Sequence, residues 1–292
     1  MIKFTLLMCV YDKEDPLHLR RCLESLDELT VKPDEIVIVK DGPLTPELDE
    51  VLTNHRFRTS HQTQEITQSQ ESTQPQNDGQ QANVNIISLP ENVTLGPARS
   101  KGVVAAKNDW IAIMDSDDIC KPDRFEKQLK MIESNPTLGL IGGQIAEFYS
   151  DPENPTATRK VPTEHNDILK FAKTRNPFNH MTVMFKRDAV INAGNYRCFP
   201  LFEDYDLWTR MIYDGTICAN HPDVLVDARI SSGTYGRRRG FKYISSEWKM
   251  QKELKKLGII GGIEFIRNIL LRIPVRLLPE KLLGITYRKV VR

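Results

Sequence analysis

The chain contains 292 residues, of which 40% are hydrophobic and 27% are charged. This is the composition of a globular protein, and it excludes collagenous, fibrous and wholly disordered chains. With 40 Lys+Arg against 39 Asp+Glu the net charge is +1, so an overall basic nucleic-acid-binding protein is excluded and no nucleic-acid partner is expected.

The charge is unevenly distributed along the chain. Residues 236–292 contain 15 Lys+Arg and 4 Asp+Glu, whereas residues 1–235 contain 25 Lys+Arg and 35 Asp+Glu. A basic C-terminal segment attached to an acidic body indicates that the segment has a binding partner, although the average charge of the chain gives no sign of one.

Cysteine usage and hydropathy together predict a cytoplasmic protein. The five cysteines are odd in number and lack a CxxC spacing, which is typical of reduced thiols. The apolar run at 4–10 is too short for a signal peptide, and no run reaches the roughly 18 apolar residues of a membrane span.

The first part of the chain alternates short apolar runs with amphipathic segments. This pattern predicts strands at 4–10, 35–39, 84–89 and 110–114, and helices at 17–29 and 97–107. The order predicts an α/β fold with a doubly wound, mostly parallel sheet, in which ligands bind beyond the carboxyl ends of the strands. Residues 59–83 are rich in Gln and poor in large apolar residues, which predicts a disordered surface insertion.

The second part of the chain is less regular. A loop is predicted at 151–163, followed by strands at 181–185 and 224–230 and helices at 188–193, 202–214, 242–257, 260–272 and 279–291. We therefore predict one α/β domain over residues 1–240 and a helical extension over residues 241–292.

An acidic cluster follows the predicted strand 110–114. Asp115, Asp117 and Asp118 lie within four residues, where they repel one another unless a cation neutralises them. A divalent ion such as Mg²⁺ or Mn²⁺ that bridges to a diphosphate would do so. The alternative is a helix cap, which accounts for one carboxylate but not for three.

A second acidic cluster begins the predicted helix 202–214. Glu203 and Asp204 are favoured there by the helix dipole alone, so solvated capping charges are one interpretation. If the pair faces the first cluster, one of its carboxylates could serve as a general base.

Several motifs resemble those of the family 2 inverting glycosyltransferases, which have the nucleotide-binding, Rossmann-like GT-A fold. The similarity is greatest to the bacterial branch that builds exopolysaccharide, capsule and O-antigen, including amylovoran-type enzymes. The motifs occur in the family's order: Val10-Tyr11, Pro33-Asp34-Glu35, Lys40-Asp41-Gly42, Ala98-Arg99-Ser100-Lys101-Gly102, Asp115-Ser116-Asp117-Asp118, Asn179-His180, Gly194-Asn195-Tyr196 and Glu203-Asp204.

The resemblance implies a donor site for a nucleotide sugar, most often a UDP-sugar. Asp41 would hydrogen-bond the nucleotide base, and Tyr11 would lie beside it. Arg99 would lie near the base and phosphates. Asp115 and Asp117 match the DxD motif, with Asp115 near the ribose and both aspartates close to the Mn²⁺ or Mg²⁺ ion.

The resemblance also implies an acceptor site. Asp204 matches the catalytic base, and Glu203 would contact the acceptor or hold Asp204. His180 would line the pocket and is a candidate metal ligand. Trp208 is either a sugar-stacking platform or a core residue. Arg237 and Arg238 would lie in a basic loop over the diphosphate.

The function implied is transfer of one hexose from UDP-galactose or UDP-glucose to a saccharide acceptor carried on a polyprenyl diphosphate, in surface polysaccharide biosynthesis. The chain lacks the QxxRW pattern of processive polymerases. Two alternatives stay open: a nucleotidyltransferase, although acidic Asp12-Lys13-Glu14-Asp15 replaces the basic Gly-rich loop that it needs, and a non-catalytic, membrane-associated assembly subunit.

The basic segment 260–292 mixes Ile, Leu and Phe with arginines. Such helices suit the surface of an anionic bilayer, so the enzyme is expected at the inner face of the bacterial cell membrane. The alternatives are a helix that packs on the catalytic domain and a contact in a homo-oligomer.

Overall fold

The computed structural model describes residues 2–57, 83–231 and 240–276. Within these ranges the strands are β1 (Phe4–Val10), β2 (Glu35–Lys40), β3 (Val84–Ser88), β4 (Trp110–Asp115), β5 (Ile119–Cys120), β6 (Leu138–Phe148), β7 (Ala157–Arg159), β8 (Met184–Lys186) and β9 (Ile217–Arg229). The helices are α1 (Pro16–Asp27), α2 (Pro46–Asn54), α3 (Leu95–Ala105), α4 (Arg124–Ser134), α5 (His165–Ala172), α6 (Arg187–Asn192), α7 (Glu203–Tyr213), α8 (Phe241–Lys256) and α9 (Gly262–Arg276).

The parallel half of the sheet sets the position of the candidate site. Strand β1 pairs in parallel with β2 on one side and β4 on the other, and β3 pairs in parallel with β2. Every residue of β1 is buried, as expected for a strand covered on both faces. Cys9 lies opposite both Val39 and Asp115. The three strands therefore end at the same edge of the sheet.

The other half of the sheet is mixed. Strand β8 joins β4 and β6 with antiparallel pairings, whereas β6 and β9 pair in parallel. Strands β5 and β7 add antiparallel pairings to β9 and β6. The predicted parallel sheet thus holds for its first four strands, and antiparallel strands extend it.

The structure differs from the predictions at several elements, among them a strand and a turn in the second half of the sheet. Strand β6 is absent from the predictions; its run carries three glycines, Gly139, Gly142 and Gly143, which weaken a strand pattern. The predicted strand 181–185 begins later, because His180–Thr182 form a 3₁₀ turn. The Thr182 hydroxyl donates to the Asn179 carbonyl at 2.7 Å and stabilises that turn. The predicted loop 151–163 contains β7.

Apolar side chains form a core on each face of the sheet and a smaller third cluster. The third cluster joins the start of α7 to α8, with the rings of Phe202 and Tyr243 5.2 Å apart. The C-terminal helices therefore pack directly on the helix that begins with Glu203 and Asp204.

Some predictions concern residues outside the described ranges. They include the Gln-rich insertion up to residue 82, Arg237, Arg238 and the helix 279–291. Among the helices that the structure does describe, none has the length and apolar character needed to cross a membrane.

Candidate active site

Asp41 follows β2 and anchors the loop opposite. Its carboxylate is buried and accepts a hydrogen bond from the Val93 backbone N–H at 2.7 Å, while the Asn92 side chain donates to the Asp41 carbonyl at 3.3 Å. Gly42 has φ +91°, and a Cβ there would lie 2.9 Å from the Asn92 nitrogen, so glycine permits this approach. The Asp41 N–H donates to the Val10 carbonyl at 2.8 Å, which brings the chain at Tyr11 alongside Asp41.

Arg99 joins the two acidic clusters. Its Nη2 donates to Asp115 Oδ1 at 2.9 Å, and its Nη1 donates to Glu203 Oε1 at 3.0 Å. Burial alone would lower the pKa of the guanidinium, but the two carboxylates raise the pKa above its ordinary value. Carboxylates distant in sequence therefore share one cation, and the two acidic clusters face each other.

The packing of α3 against α7 brings these groups together. Gly96, in the first turn of α3, lies so close to the Arg197 carbonyl that a Cβ would collide with it, and that Cβ would lie 3.3 Å from Glu203 Cβ. Only a glycine allows this contact without a shift of backbone. The contact sets Arg99 between β4 and α7.

The three aspartates after β4 have different surroundings. Asp118 is buried and accepts a hydrogen bond from the Arg229 N–H at 2.7 Å. Burial, followed by the charges of Asp117 and Asp115, raises the pKa of Asp118 well above its ordinary value. The Arg229 Nε donates to the Asp117 carbonyl at 3.0 Å. Asp118 thus anchors β9, whereas the side chains of Asp115 and Asp117 are partly exposed at the edge.

A divalent ion fits beside Asp115 and Asp117 at this edge of the sheet if another molecule supplies its remaining ligands. In the part of the chain that the structure describes, no three His, Cys, Asp or Glu side chains are arranged to hold a metal ion. Asp115 and Asp117 supply the hard oxygen ligands that Mg²⁺ and Mn²⁺ prefer, and such ions commonly take further oxygens from substrate phosphates.

His180 does not complete that set. Its imidazole is buried and stacks on Trp208, with 6.0 Å between ring centroids, and it contacts Tyr196 edge-on. Burial lowers the pKa of His180 well below its ordinary value. Within the described ranges neither ring nitrogen has a hydrogen-bond partner. His180 therefore belongs to an aromatic core and does not form a common ligand set with Asp115 and Asp117.

Trp208 is a core residue rather than a platform for a sugar. Its side chain is 0% exposed and packs against the rings of Phe178, Phe185 and Tyr196. It holds α7 against the sheet.

Asp204 lies at the N-terminus of α7 with both carboxylate oxygens hydrogen-bonded. Asn176 Nδ2 donates to Oδ2 at 2.6 Å, and the Tyr205 N–H donates to Oδ1 at 2.7 Å. Burial raises the pKa of Asp204, and these two donors together with Arg99 oppose that rise. Burial likewise raises the pKa of Glu203, against the opposing charge of Arg99. Asp204 can therefore be ionised and still accept a proton, and a general base needs both properties.

Two residues of the site were not predicted. Asn176 contacts Asp204, and Arg229 holds the loop of Asp117 and Asp118. Neither lies in a motif named above, and a single Asn before Pro177 or a single Arg at a strand end carries no sequence signal. Arg237 and Arg238 lie outside the described ranges, so their predicted contact with the diphosphate stays a prediction.

Comparison with known proteins decides the family. The model of "Glycosyl transferase family 2" matches residues 5–191. The chain belongs to glycosyl transferase family 2. The family's matched segment contains β1 to β4, Arg99 and the aspartates after β4, and the chain is a glycosyltransferase.

Three family members resemble the chain along nearly its whole length. An uncharacterized glycosyltransferase of Haemophilus influenzae is 41% identical over 100% of both chains. The amylovoran biosynthesis glycosyltransferase AmsE of Erwinia amylovora is 37% identical over 98% of both. The UDP-Gal:α-D-GlcNAc-diphosphoundecaprenol β-1,3-galactosyltransferase of Escherichia coli is 36% identical over 99% of this chain and 97% of its own. The predicted resemblance to the bacterial polysaccharide branch is confirmed.

Solved structures confirm the fold. The mannosyltransferase PcManGT of Pyrobaculum calidifontis, in complex with GDP-Man and Mn²⁺, gives a TM-score of 0.59 at 14% identity and covers 93% of this chain and 69% of its own. S. aureus TarS 1–349 in complex with UDP-GlcNAc gives 0.58 at 14% identity and covers 94% and 72%. The predicted GT-A fold with helices after the sheet is confirmed.

Proposed function

We propose that this glycosyltransferase moves a hexose, galactose or glucose, from its UDP-sugar to a hydroxyl of a saccharide linked to a lipid diphosphate, in surface polysaccharide biosynthesis. One observation carries the proposal: Arg99 binds both Asp115, on the donor side, and Glu203, beside the candidate base. The choice of donor and acceptor rests on the E. coli relative, whose name describes a UDP-Gal transferase that acts on a GlcNAc-diphosphoundecaprenol.

The reaction proposed is a single displacement with inversion. Asp204 takes the proton of the acceptor hydroxyl, whose oxygen attacks the anomeric carbon of the hexose. The bond from that carbon to the diphosphate breaks, and UDP leaves with the bonding electrons. The Asn176 and Tyr205 donors hold the Asp204 carboxylate in one orientation for this step.

A divalent ion suits the donor side of this site. Asp115 and Asp117 would hold it together with the diphosphate oxygens, and it would offset the charge of the leaving UDP. On the protein side, Arg99 keeps the Asp115 carboxylate in place, and Asp41 and Tyr11 are proposed to receive the nucleotide base.

A transfer assay tests the function. UDP-galactose, UDP-glucose and their N-acetyl analogues are each incubated with Mn²⁺ and a synthetic lipid-diphosphate GlcNAc or GalNAc acceptor, and the product is analysed by NMR. The expected product carries one added hexose with the configuration inverted at the anomeric carbon. A retained configuration, or product from none of the donors, would overturn the proposal; release of pyrophosphate from a nucleoside triphosphate would favour the nucleotidyltransferase instead.

We further propose that α9 lies on the anionic inner face of the cell membrane. Ile263, Ile266, Leu270 and Leu271 on this helix are 86%, 59%, 67% and 64% exposed, and the neighbouring Arg267 is exposed as well. An exposed apolar face beside an exposed arginine suits a bilayer with anionic headgroups, although Arg272 and Arg276 of the same helix pair with Glu247 instead. That location would also bring the enzyme to a lipid-linked acceptor.

A further inference from the structure

The segment 172–176, which begins at the last residue of α5, is held by three donors from outside it. Tyr205 Oη donates to the Ala172 carbonyl at 2.5 Å, and Asn268 Nδ2 donates to the Lys173 carbonyl at 2.8 Å. Arg272 Nη1 donates to the Thr174 carbonyl. We call residues 172–176 the base-side turn. Three successive carbonyls of this turn are thus fixed by α7 and α9.

The base-side turn ends at Asn176, which donates to Asp204 at 2.6 Å. On its other side, Arg159 Nη2 donates to the Asn176 carbonyl at 3.2 Å. The position of the turn therefore determines where the Asn176 amide meets the Asp204 carboxylate.

A buried ionic network orients Arg272. Glu247 of α8 is 0% exposed, and its carboxylate accepts from Arg272 Nε at 2.5 Å, Arg272 Nη2 at 3.1 Å and Arg276 Nη2 at 3.2 Å. Gln251 Nε2 also donates to Glu247 at 3.3 Å. Burial acts to raise the pKa of Glu247, but the arginines and Gln251 hold it below its ordinary value.

Such a network contributes more to geometry than to stability. The desolvation of two buried charges offsets most of their attraction, so an apolar pair of equal size would hold the helices together as well. The bidentate pair, however, fixes the plane of the Arg272 guanidinium, and the third nitrogen of that plane reaches the Thr174 carbonyl.

We propose that Asn176 is a positioning residue for Asp204, and that the Glu247–Arg272 pair holds the base-side turn that carries Asn176. The C-terminal helices then belong to the catalytic apparatus. This inference rests on the proposed function, since it gives Asp204 the role of the base.

The test is the pH dependence of transfer, measured with the donor and acceptor that give product in the assay above. Asn176→Ala removes a donor that favours the ionised carboxylate, so the pKa of Asp204 rises and the acidic limb of the kcat/KM profile moves to higher pH. On that limb kcat/KM falls about tenfold. Asn176→Asp, which places a second carboxylate beside Asp204, moves the limb further in the same direction.

Arg272→Lys tests the network. Lysine keeps the charge but loses the bidentate plane, so the acidic limb moves as in Asn176→Ala, by a smaller amount. Arg187→Lys is the matched control, because Arg187 also donates to a main-chain carbonyl, that of Val103 at 3.2 Å. The control profile should overlay that of the wild type.

The outcomes distinguish the roles of Asn176 and the ionic network from the role of Asp204 as the base. An unchanged acidic limb in Asn176→Ala overturns the positioning role, and an unchanged limb in Arg272→Lys, whether or not Tm falls, overturns the role of the network. Transfer that survives Asp204→Asn overturns the base itself. UDP affinity with Mn²⁺ and Tm, measured for every variant, show that each protein is folded.

Discussion

Replacing Arg99 by Met would leave Asp115 and Glu203 facing each other without the cation that they share. The Arg99 side chain is 7% exposed, and those of Asp115 and Glu203 are 26% and 15% exposed. Removal of one partner from a buried ion pair costs about 3–5 kcal/mol. Since the two carboxylates keep some contact with water, we expect about 2–4 kcal/mol here. At roughly 2–4 °C per kcal/mol for a domain of this size, Tm should fall by about 5–15 °C.

The loss should depend on pH. Arg99 opposes the effect of burial on the pKa of Glu203, so in Arg99→Met that pKa rises further above the value in the unfolded chain. A group of this kind contributes its stability below the unfolded pKa and loses it as the pH rises through the folded pKa. Tm of the variant should therefore approach that of the wild type near pH 4 and fall behind it towards pH 8.

Lys127→Met is the matched control. Lys127 also bridges two carboxylates, those of Asp123 at 2.7 Å and Asp223 at 2.9 Å, but these are 47% and 52% exposed. A surface bridge of this kind contributes about 0–1 kcal/mol. Thermal unfolding followed by circular dichroism from pH 4 to 8 compares the two variants. If Arg99→Met loses no more than Lys127→Met, or loses the same amount at every pH, the reasoning about the shared cation is wrong.

Three further predictions concern the chemistry and the membrane. Asp204→Asn should lower kcat by about 10²–10⁴-fold with unchanged UDP affinity in isothermal titration; loss of UDP binding would contradict its role as base. Asp117→Ala should abolish the Mn²⁺ dependence of UDP affinity, whereas Asp118→Asn, which keeps an acceptor for the Arg229 N–H, should preserve it; equal effects would argue against separate roles. Ile266→Asp with Leu270→Asp should reduce flotation with anionic vesicles, because both the apolar contact and the charge of this face become less favourable; unchanged flotation together with a smaller oligomer in light scattering would indicate a homo-oligomer contact instead.

The sequence predicted the parallel half of the sheet well, for a physical reason. Strands β1, β2 and β4 are apolar runs buried on both faces, and such runs are readable without knowledge of their neighbours. Strand β6 interrupts its apolar run with glycines that lie against Asn220, Phe178 and Leu225. Those contacts exist only in the folded chain, so the local hydropathy pattern does not predict the strand.

The candidate site was predictable by residue type but not by arrangement. The carboxylates of Asp115 and Glu203 stand out in the sequence, but the contact that joins them depends on the closeness of Gly96 to the Arg197 carbonyl. His180 shows the opposite case: it lies in a motif of the family, while its surroundings in the structure are the rings of Trp208 and Tyr196. Packing between distant parts of the chain, which the sequence does not show, determines both the arrangement of Asp115 and Glu203 and the surroundings of His180.

The two faces of α9 have a practical consequence for anyone who wishes to make this enzyme more soluble. Ending the chain near residue 260 would remove the exposed Ile266 and Leu270, but it would also remove Arg272 and Arg276, which pair with Glu247. The shortened protein should therefore aggregate or lose activity for reasons unrelated to membranes. Polar substitutions confined to the exposed face, at positions such as Ile266 and Leu270, would keep the contacts of Arg272 and Arg276 with Glu247.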